Sequence, residues 1–361
     1  MKKKIMSAIA LVMALTMTAC SSSQTPSSSA AASDVVSSDA VASDTADSSA
    51  AASDTTAGGQ TAAGKEGGTS LKFTTGGDQG TYYAFGGVLA GKISEVTSTN
   101  VNAITSGGSQ ANIEALQMGD AQIAFSQSDV LAYAYNGTRL FEEDGAVTDI
   151  RVLCDLYTEQ VQIVTLNPDN KSVADLAGKN VSIGDQGSGV YFNAIDVLAA
   201  YDLTEDDIKP SYQSFGNSVE ALQDGKIDAA FITAGAPTTA VTSLATTKQI
   251  YLISLDKEHI DKLMADSPYY SEYTIGKDVY ATEEDTTTVA VGAVVIAAAD
   301  LSDADAYNVL CGIYENIDTI KAAHAKGEEL NLEFAASVEG VPYHAGAAEY
   351  FAEKGITVPT E

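Results

Sequence analysis

Positive charge is scarce in this chain. Nineteen Lys and Arg residues stand against 49 Asp and Glu, giving a formal net charge of −30, and only Arg139 and Arg151 are arginines. So acidic a surface does not condense on phosphate backbones or on an anionic membrane face, which excludes nucleic acid as a partner. Cysteine is nearly as sparse, with Cys20, Cys154 and Cys311 alone. None of them has a second ligand at zinc spacing, and His259, His324 and His344 are scattered. The common catalytic signatures are missing as well: there is no GxSxG elbow, no HExxH and no GxGxxG. The stretch from Gly86 to Lys92 imitates a phosphate-binding loop, but Ile93 stands where Ser or Thr would hold Mg²⁺. Its glycines also fall inside an amphipathic helical pattern. The expectation is a protein that is not an enzyme and carries no cofactor or metal.

The apolar run from Ile5 to Met17 is too short for a permanent membrane span. Preceded by Lys2, Lys3 and Lys4 and followed by Met17-Thr18-Ala19-Cys20, it reads as an export signal over residues 1–19. The box is similar to that of bacterial lipoproteins, which implies a lipid anchor on Cys20 and a place on the extracytoplasmic face of the cell membrane. Residues 20–68 are almost wholly Ser, Ala, Thr, Asp and Gly, too poor in apolar surface to offset ordering entropy, and are expected to form a disordered tether. The two remaining cysteines, Cys154 and Cys311, are either buried thiols or a single disulfide, which an exported protein allows.

From Ser70 on, the chain repeats itself. Gly77-Asp78-Gln79-Gly80-Thr81 returns as Gly184-Asp185-Gln186-Gly187-Ser188, a shift of about 107 positions. Val88-Leu89-Ala90 is echoed by Val197-Leu198-Ala199, and Glu114-Ala115-Leu116-Gln117 by Glu220-Ala221-Leu222-Gln223. Each half reads as strand, Gly-rich loop, helix, strand, helix, strand. In the first, Leu71–Thr74, Val101–Thr105 and 121–125 are strands, the helix after Phe85 carries Leu89 and Ile93, and Ser109 is the expected N-cap of the second helix. The second half matches with Val181–Ile183, a helix over 191–200, another around Val219–Leu222 and a strand over 227–232.

This alternation predicts an α/β chain of two lobes, each a doubly wound, mainly parallel sheet. Two long apolar stretches, 150–166 and 288–298, are expected to cross between the lobes as a hinge. Lobe 1 would then comprise residues 69–158 and 288–361, with the helical segment 304–355 packed back on it, and lobe 2 residues 159–287.

Ligands in such folds lie beyond the carboxyl ends of strands, where helix N-termini present free N–H groups and a positive dipole end. The two GDQG loops sit there and are expected to face each other across a cleft. Gly80, Thr81, Tyr82 and Tyr83 from one loop, Gln127 and Ser128 after a buried strand, Ser188 and Asn193 around the second loop, and Gly235 and Pro237 are the candidate contacts. No Lys or Arg belongs to any of these loops, so an anion would rest on amides and hydroxyls unless Arg139 or Arg151 reaches in.

The runs GGDQGTYYAFGG (Gly76 to Gly87), TSGGSQANIEAL (Thr105 to Leu116), FSQSDVLAYAYNG (Phe125 to Gly137) and KSVADLAGKNVSIGDQGSGVYFNA (Lys171 to Ala194) carry a family likeness. So do GKIDAAFITAGAPTTAVTSLATT (Gly225 to Thr247), PYY (Pro268 to Tyr270) and VPYHAGAAEYFAEKGI (Val341 to Ile356). From Leu71 onward the chain resembles the TAXI-type solute-binding subunits of TRAP transporters. The resemblance implies a two-lobed fold of the type II periplasmic-binding-protein kind and a monomeric binding protein that closes around a small carboxylate, such as a dicarboxylate, a glutamate-like amino acid or a 2-oxoacid. It also implies delivery to a TRAP membrane permease driven by an ion gradient. By this likeness Gly80, Thr81, Tyr82, Gln127, Ser128, Ser188, Gly189, Asn193, Gly235 and Pro237 line the site. Thr239 departs from the pattern, replacing a proline common after the Pro-Thr pair. A binding protein for an ATP-driven importer and an anchored sensory or adhesion module of the same fold are the alternatives.

Overall fold

The computed structural model describes residues 64–361. The export signal, Cys20 and the tether up to residue 63 lie outside the described residues. The last tether residues are held against the folded part. Lys65 N–H donates to Asn308 Oδ1 at 2.6 Å, and the Ser98 hydroxyl donates to the Lys65 carbonyl at 2.6 Å. The expected tether therefore overran by a few residues, because a Lys-Glu-Gly-Gly stretch with no apolar side chain can still dock through its backbone.

The first repeat runs β1 (Ser70–Thr74), α1 (Thr81–Val96), β2 (Asn100–Ile104), α2 (Ser109–Gln117), β3 (Ile123–Gln127), α3 (Ser128–Asn136). The long strand β4 (Ile150–Thr165) follows. The second repeat runs β5 (Asn180–Ser182), α4 (Gly189–Ala200), β6 (Lys209–Ser211), α5 (Phe215–Gln223), β7 (Ala229–Ala234), α6 (Thr239–Ala245). Then come β8 (Tyr251–Leu252), α7 (Lys257–Asp266), β9 (Ser271–Ile275) and the second long strand, β10 (Thr286–Ala298). Four helices finish the chain: α8 (Asp303–Tyr314), α9 (Ile317–Ala323), α10 (Leu332–Ala335) and α11 (Ala345–Glu353).

The repeat seen in sequence is a repeat of topology. In one half the strand order is β2-β1-β3, in the other β6-β5-β7, and all four pairings are parallel. The two halves are not separate sheets, however. They are edges of one mixed sheet, β2-β1-β3-β10-β4-β7-β5-β6, whose middle is the antiparallel pair β4 and β10. Each long strand changes neighbours along its length. The start of β10 pairs with β9 and its end with β3, while the end of β4 pairs with β7. These are the expected hinge strands, within two residues of their predicted bounds. A register shift between Gly292 and Val294 marks the crossing, where an extra residue bends a strand.

Burial explains why β4 shows no clean alternation of apolar and polar residues: it is covered on both faces, so no solvent side imposes one. One core contains Phe73, Phe85, Leu89, Ile93, Phe125 and Leu153, closed by Val309, Leu310 and Ile320 from the C-terminal helices. The other half has its own apolar clusters, around Ile183, Val197 and Ile260 on one face and Ile232, Val241 and Leu244 on the other. Phe85, Leu89 and Ile93 lie four residues apart on one stripe of α1, each burial contributing about 1.5 to 3 kcal/mol. The phosphate-loop imitation lies inside that helix, as expected. Ser109 is not a cap: Gly108 precedes α2, and the Ser109 hydroxyl instead accepts the Gln127 N–H at 3.1 Å. Cys154 and Cys311 are both buried free thiols.

Candidate functional site

Four helix N-termini meet where the halves touch. The starts of α1 and α2 come from one half, those of α4 and α5 from the other, and together they border a cleft partly open to solvent. Gly80 and Gly108 precede α1 and α2 and have no side chain with which to cap them, so first-turn N–H groups remain directed at the cleft. Gly108 has φ of 103°, a conformation that requires glycine, and it packs against Ser188 of the opposite half, where a Cβ would meet the Ser188 Cα at 3.4 Å.

The halves touch directly around this cleft. Ala111 N–H donates to the Gly187 carbonyl at 3.1 Å, and Ala240 N–H to the Gln79 carbonyl at 3.2 Å. Each GDQG loop therefore docks on a helix N-terminus of the opposite half rather than on its counterpart, although both border the cleft. The Thr81 hydroxyl donates to the Gly235 carbonyl at 2.9 Å, a third bond across the boundary. These contacts describe a closed arrangement.

Of the expected residues, Gly80, Thr81, Tyr82, Gln127, Ser188 and Gly189 line the cleft. Tyr82 is 8% exposed and stacks on Phe125 with ring centroids 4.4 Å apart. Tyr83 is 40% exposed and points away, because one residue along a helix turns the side chain about 100°. Ser128 faces the hinge instead, where its hydroxyl accepts the Gly292 N–H at 2.9 Å. Strand alternation puts Gln127 and not its neighbour toward the cleft. Asn193 is buried against α3, donating to Asp129 Oδ2 and to the Tyr270 hydroxyl, both at 2.8 Å. Gly235 borders the site only through its carbonyl, and Pro237 is exposed. The Ser188 hydroxyl caps α4, accepting the Tyr191 N–H and donating to the Asp185 carbonyl at 2.6 Å.

Neither arginine enters. Arg151 donates to the Thr148 and Ile150 carbonyls, and Arg139 pairs with Asp266 at 2.6 Å. Among the described residues that line the cleft there is no Lys or Arg.

Sequence reading missed the floor of the cleft. Glu159 and Thr233, from the facing strands β4 and β7, line it, with Ser106, Asp185 and Gln213 nearer the mouth. Glu159 is 2% exposed, and burial pushes its carboxyl up to about 8, against the Tyr82 hydroxyl and the Lys326 charge, which favour ionisation. Its Oε1 has only a long contact, 3.5 Å, from the Tyr157 hydroxyl. Glu159 Oε2, Gln127 Oε1, Thr233 Oγ1 and the Tyr82 hydroxyl are all buried, and none has a hydrogen-bond partner of normal geometry among the described residues. Native interiors rarely leave buried polar atoms unpaired, and four of them around one cleft mark a place built for a polar guest. The one signal for Glu159 in the sequence is a carboxylate in the polar run Thr158-Glu159-Gln160 in the middle of a long strand.

A family model described as the NMT1-like family matches residues 73–355. Among solved structures, the alkanesulfonate-binding protein of Xanthomonas axonopodis pv. citri bound to MOPS is 18% identical, over 78% of this chain and 83% of that one, with a TM-score of 0.44. The periplasmic aliphatic sulphonate binding protein of Escherichia coli is 16% identical, over 80% and 94%, with a TM-score of 0.43. The GluR0 ligand-binding core of Nostoc punctiforme in complex with L-glutamate is 15% identical, over 72% and 100%, with a TM-score of 0.44.

Proposed function

We propose a function for this chain, which belongs to the NMT1-like family: it captures a small organic anion between its two lobes and delivers it to a membrane transporter. The observation that carries this reading is the convergence of four helix N-termini, two from each half, on one cleft whose buried polar atoms are unpaired. Helix N-termini bind carboxylate, phosphate or sulfonate without a cationic side chain, which fits a cleft lacking Lys and Arg among its described lining residues. The hinge strands β4 and β10 would let the lobes part and close. Lobe boundaries at residues 69–158 with 288–361, and 159–287, are part of this reading; the apolar clusters follow them except that Val289 and Val291 pack with the second lobe and Phe192 with the first.

Dicarboxylates, glutamate-like amino acids and 2-oxoacids are the solutes the family resemblance suggests, with Gly80, Thr81, Tyr82, Gln127, Ser188 and Gly189 as contacts. The same resemblance supports a TAXI-type subunit working as a monomer with a TRAP permease, held on the extracytoplasmic face by a lipid on Cys20. A gene for a multi-span TRAP permease beside this one would support that partner; genes for an ATP-driven importer would reassign it.

A thermal-shift screen of the protein against dicarboxylates, amino acids, 2-oxoacids and sulfonates tests the binding role. A solute that binds only the folded state raises the melting temperature with its concentration. If none of them shifts the transition, the proposed function fails.

A further inference from the structure

Acceptors dominate the floor of the cleft, and no cationic side chain there forms an ion pair with Glu159. Glu159 presents an unpartnered carboxylate oxygen, and Gln127 Oε1, which can only accept, is unpartnered as well. The Thr233 and Tyr82 hydroxyls, able to give or take a proton, complete the group. Asp185 adds a second carboxyl nearer the mouth. The N–H groups that suit an anion lie instead at the rim, at the starts of α1, α2 and α4. The two ends of the cavity thus have opposite preferences: donors at the rim, acceptors on the floor.

A ligand that is only an anion satisfies the rim and leaves the floor unpaired. Resting on the solute-binding role proposed above, we propose that Glu159 is a specificity-determining residue that recognises a protonated amine on the solute, so that the preferred ligands carry an ammonium group as well as an acid group. The ammonium has three donors for Glu159 Oε2, Gln127 Oε1 and Thr233 Oγ1, and the acid group meets the helix N-termini.

Lys326, the cation nearest Glu159, does not take this role. Its Nζ binds Glu329 Oε1 at 2.6 Å and lies 5.2 Å from the centre of the Tyr157 ring, behind the wall of the cleft. Its charge acts on Glu159 from there without supplying a hydrogen bond. The groups facing Glu159 are then Tyr82 on α1, Tyr157 on its own strand, Lys326, and the carboxyls of Asp129 and Asp155. The burial that keeps Glu159 protonated at neutral pH makes the recognition proton-linked. An ammonium beside it favours the carboxylate, so binding releases a proton from Glu159 to the buffer.

Isothermal titration of the full chain with matched pairs of acids tests this: glutamate against glutarate, and leucine against 4-methylpentanoate, run at pH 7 in two buffers of different ionisation enthalpy. The proposal expects the amino member of at least one pair to bind 10-fold or more tighter than its des-amino partner, with net proton release. Glu159→Gln should remove most of that preference and the proton release, while its unliganded melting temperature stays at or above that of the wild type. Equal or tighter binding of the des-amino acids, or an unchanged preference in the Gln variant, overturns the role of Glu159 and leaves the solute-binding role standing. If none of the four acids binds and no amine-bearing solute shifts the melting temperature, the role of Glu159 falls, and the solute-binding role falls with it only if the other dicarboxylates, the 2-oxoacids and the sulfonates fail as well.

Discussion

Asn193 Nδ2 donates to Asp129 Oδ2 at 2.8 Å and thereby joins α4 to α3 across the boundary between the halves, beside the cleft rather than within it. Around this bond the Tyr133 and Tyr270 hydroxyls donate to Asp196 Oδ2 at 3.0 and 3.1 Å, and Tyr133 also meets the Ser267 hydroxyl at 2.6 Å. Arg139 covers the outside, 2.6 Å from Asp266 and 4.0 Å from Asp196. It does so with φ of 57°, a left-handed conformation costing a non-glycine residue about 1 to 2 kcal/mol. The result is a buried clasp of two acids from opposite halves.

That clasp makes stability depend on pH. Burial first, and the neighbouring Asp196 second, push Asp129 up to about 7. Asp196 is itself raised by burial, with Arg139 acting against it. A native pKa above the unfolded one means the native state holds the extra proton, so stability from this group falls as pH rises from about 4 to about 7. Melting temperature measured across this range should decline in the wild type by more than in Asp129→Asn, which accepts the Asn193 hydrogen bond without titrating. Parallel curves for the two proteins would remove Asp129 from the account.

Gly189 tests the closed state by volume. A Cβ at this position would overlap Gln127 Oε1 and approach the Ser109 hydroxyl to 2.7 Å, both belonging to the opposite half. Gly189→Ala should oppose closure at a cost of about 1 to 3 kcal/mol, seen as roughly 5- to 150-fold weaker solute binding. An affinity within 2-fold of wild type by titration would mean that the bound state is more open than the arrangement described.

Thr81 and Ser188, paired by the repeat, have parted roles. Ser188→Ala removes the α4 cap and should lower unliganded stability by about 1 kcal/mol in a denaturant melt. Thr81→Val removes the bond to the Gly235 carbonyl, which exists only when the halves meet. It should weaken solute binding by about 1 kcal/mol while leaving the unliganded melt nearly unchanged. The reverse pattern would contradict both assignments.

Much of the architecture was legible because it rests on local periodicity. The repeat at about 107 positions predicted two halves with the same succession of strands and helices, and the long β-rich stretches predicted both long strands. The single continuous sheet was not legible, because pairing between distant strands leaves no mark in either strand. At the site, glycines before helices could be read from the GDQG loops, but side-chain direction could not. Tyr82 and Tyr83 are chemically alike and differ only in helical phase. Asn193 has the same sequence neighbours whether it faces a solute or Asp129, and its partner lies 64 residues away. Glu159 escaped because a carboxylate in a strand, like Asp155 four positions before it, has the appearance of a solvent-facing residue until the rest of the fold covers it.

The central claim is that the cleft between the halves is where the solute rests. A crystal structure of the protein with a solute identified by thermal shift tests it most directly. The account predicts ligand density bounded by the starts of α1 and α4 at one end and by Gln127, Glu159 and Thr233 at the other. Density anywhere else, with those four buried polar atoms still unpaired, would contradict it.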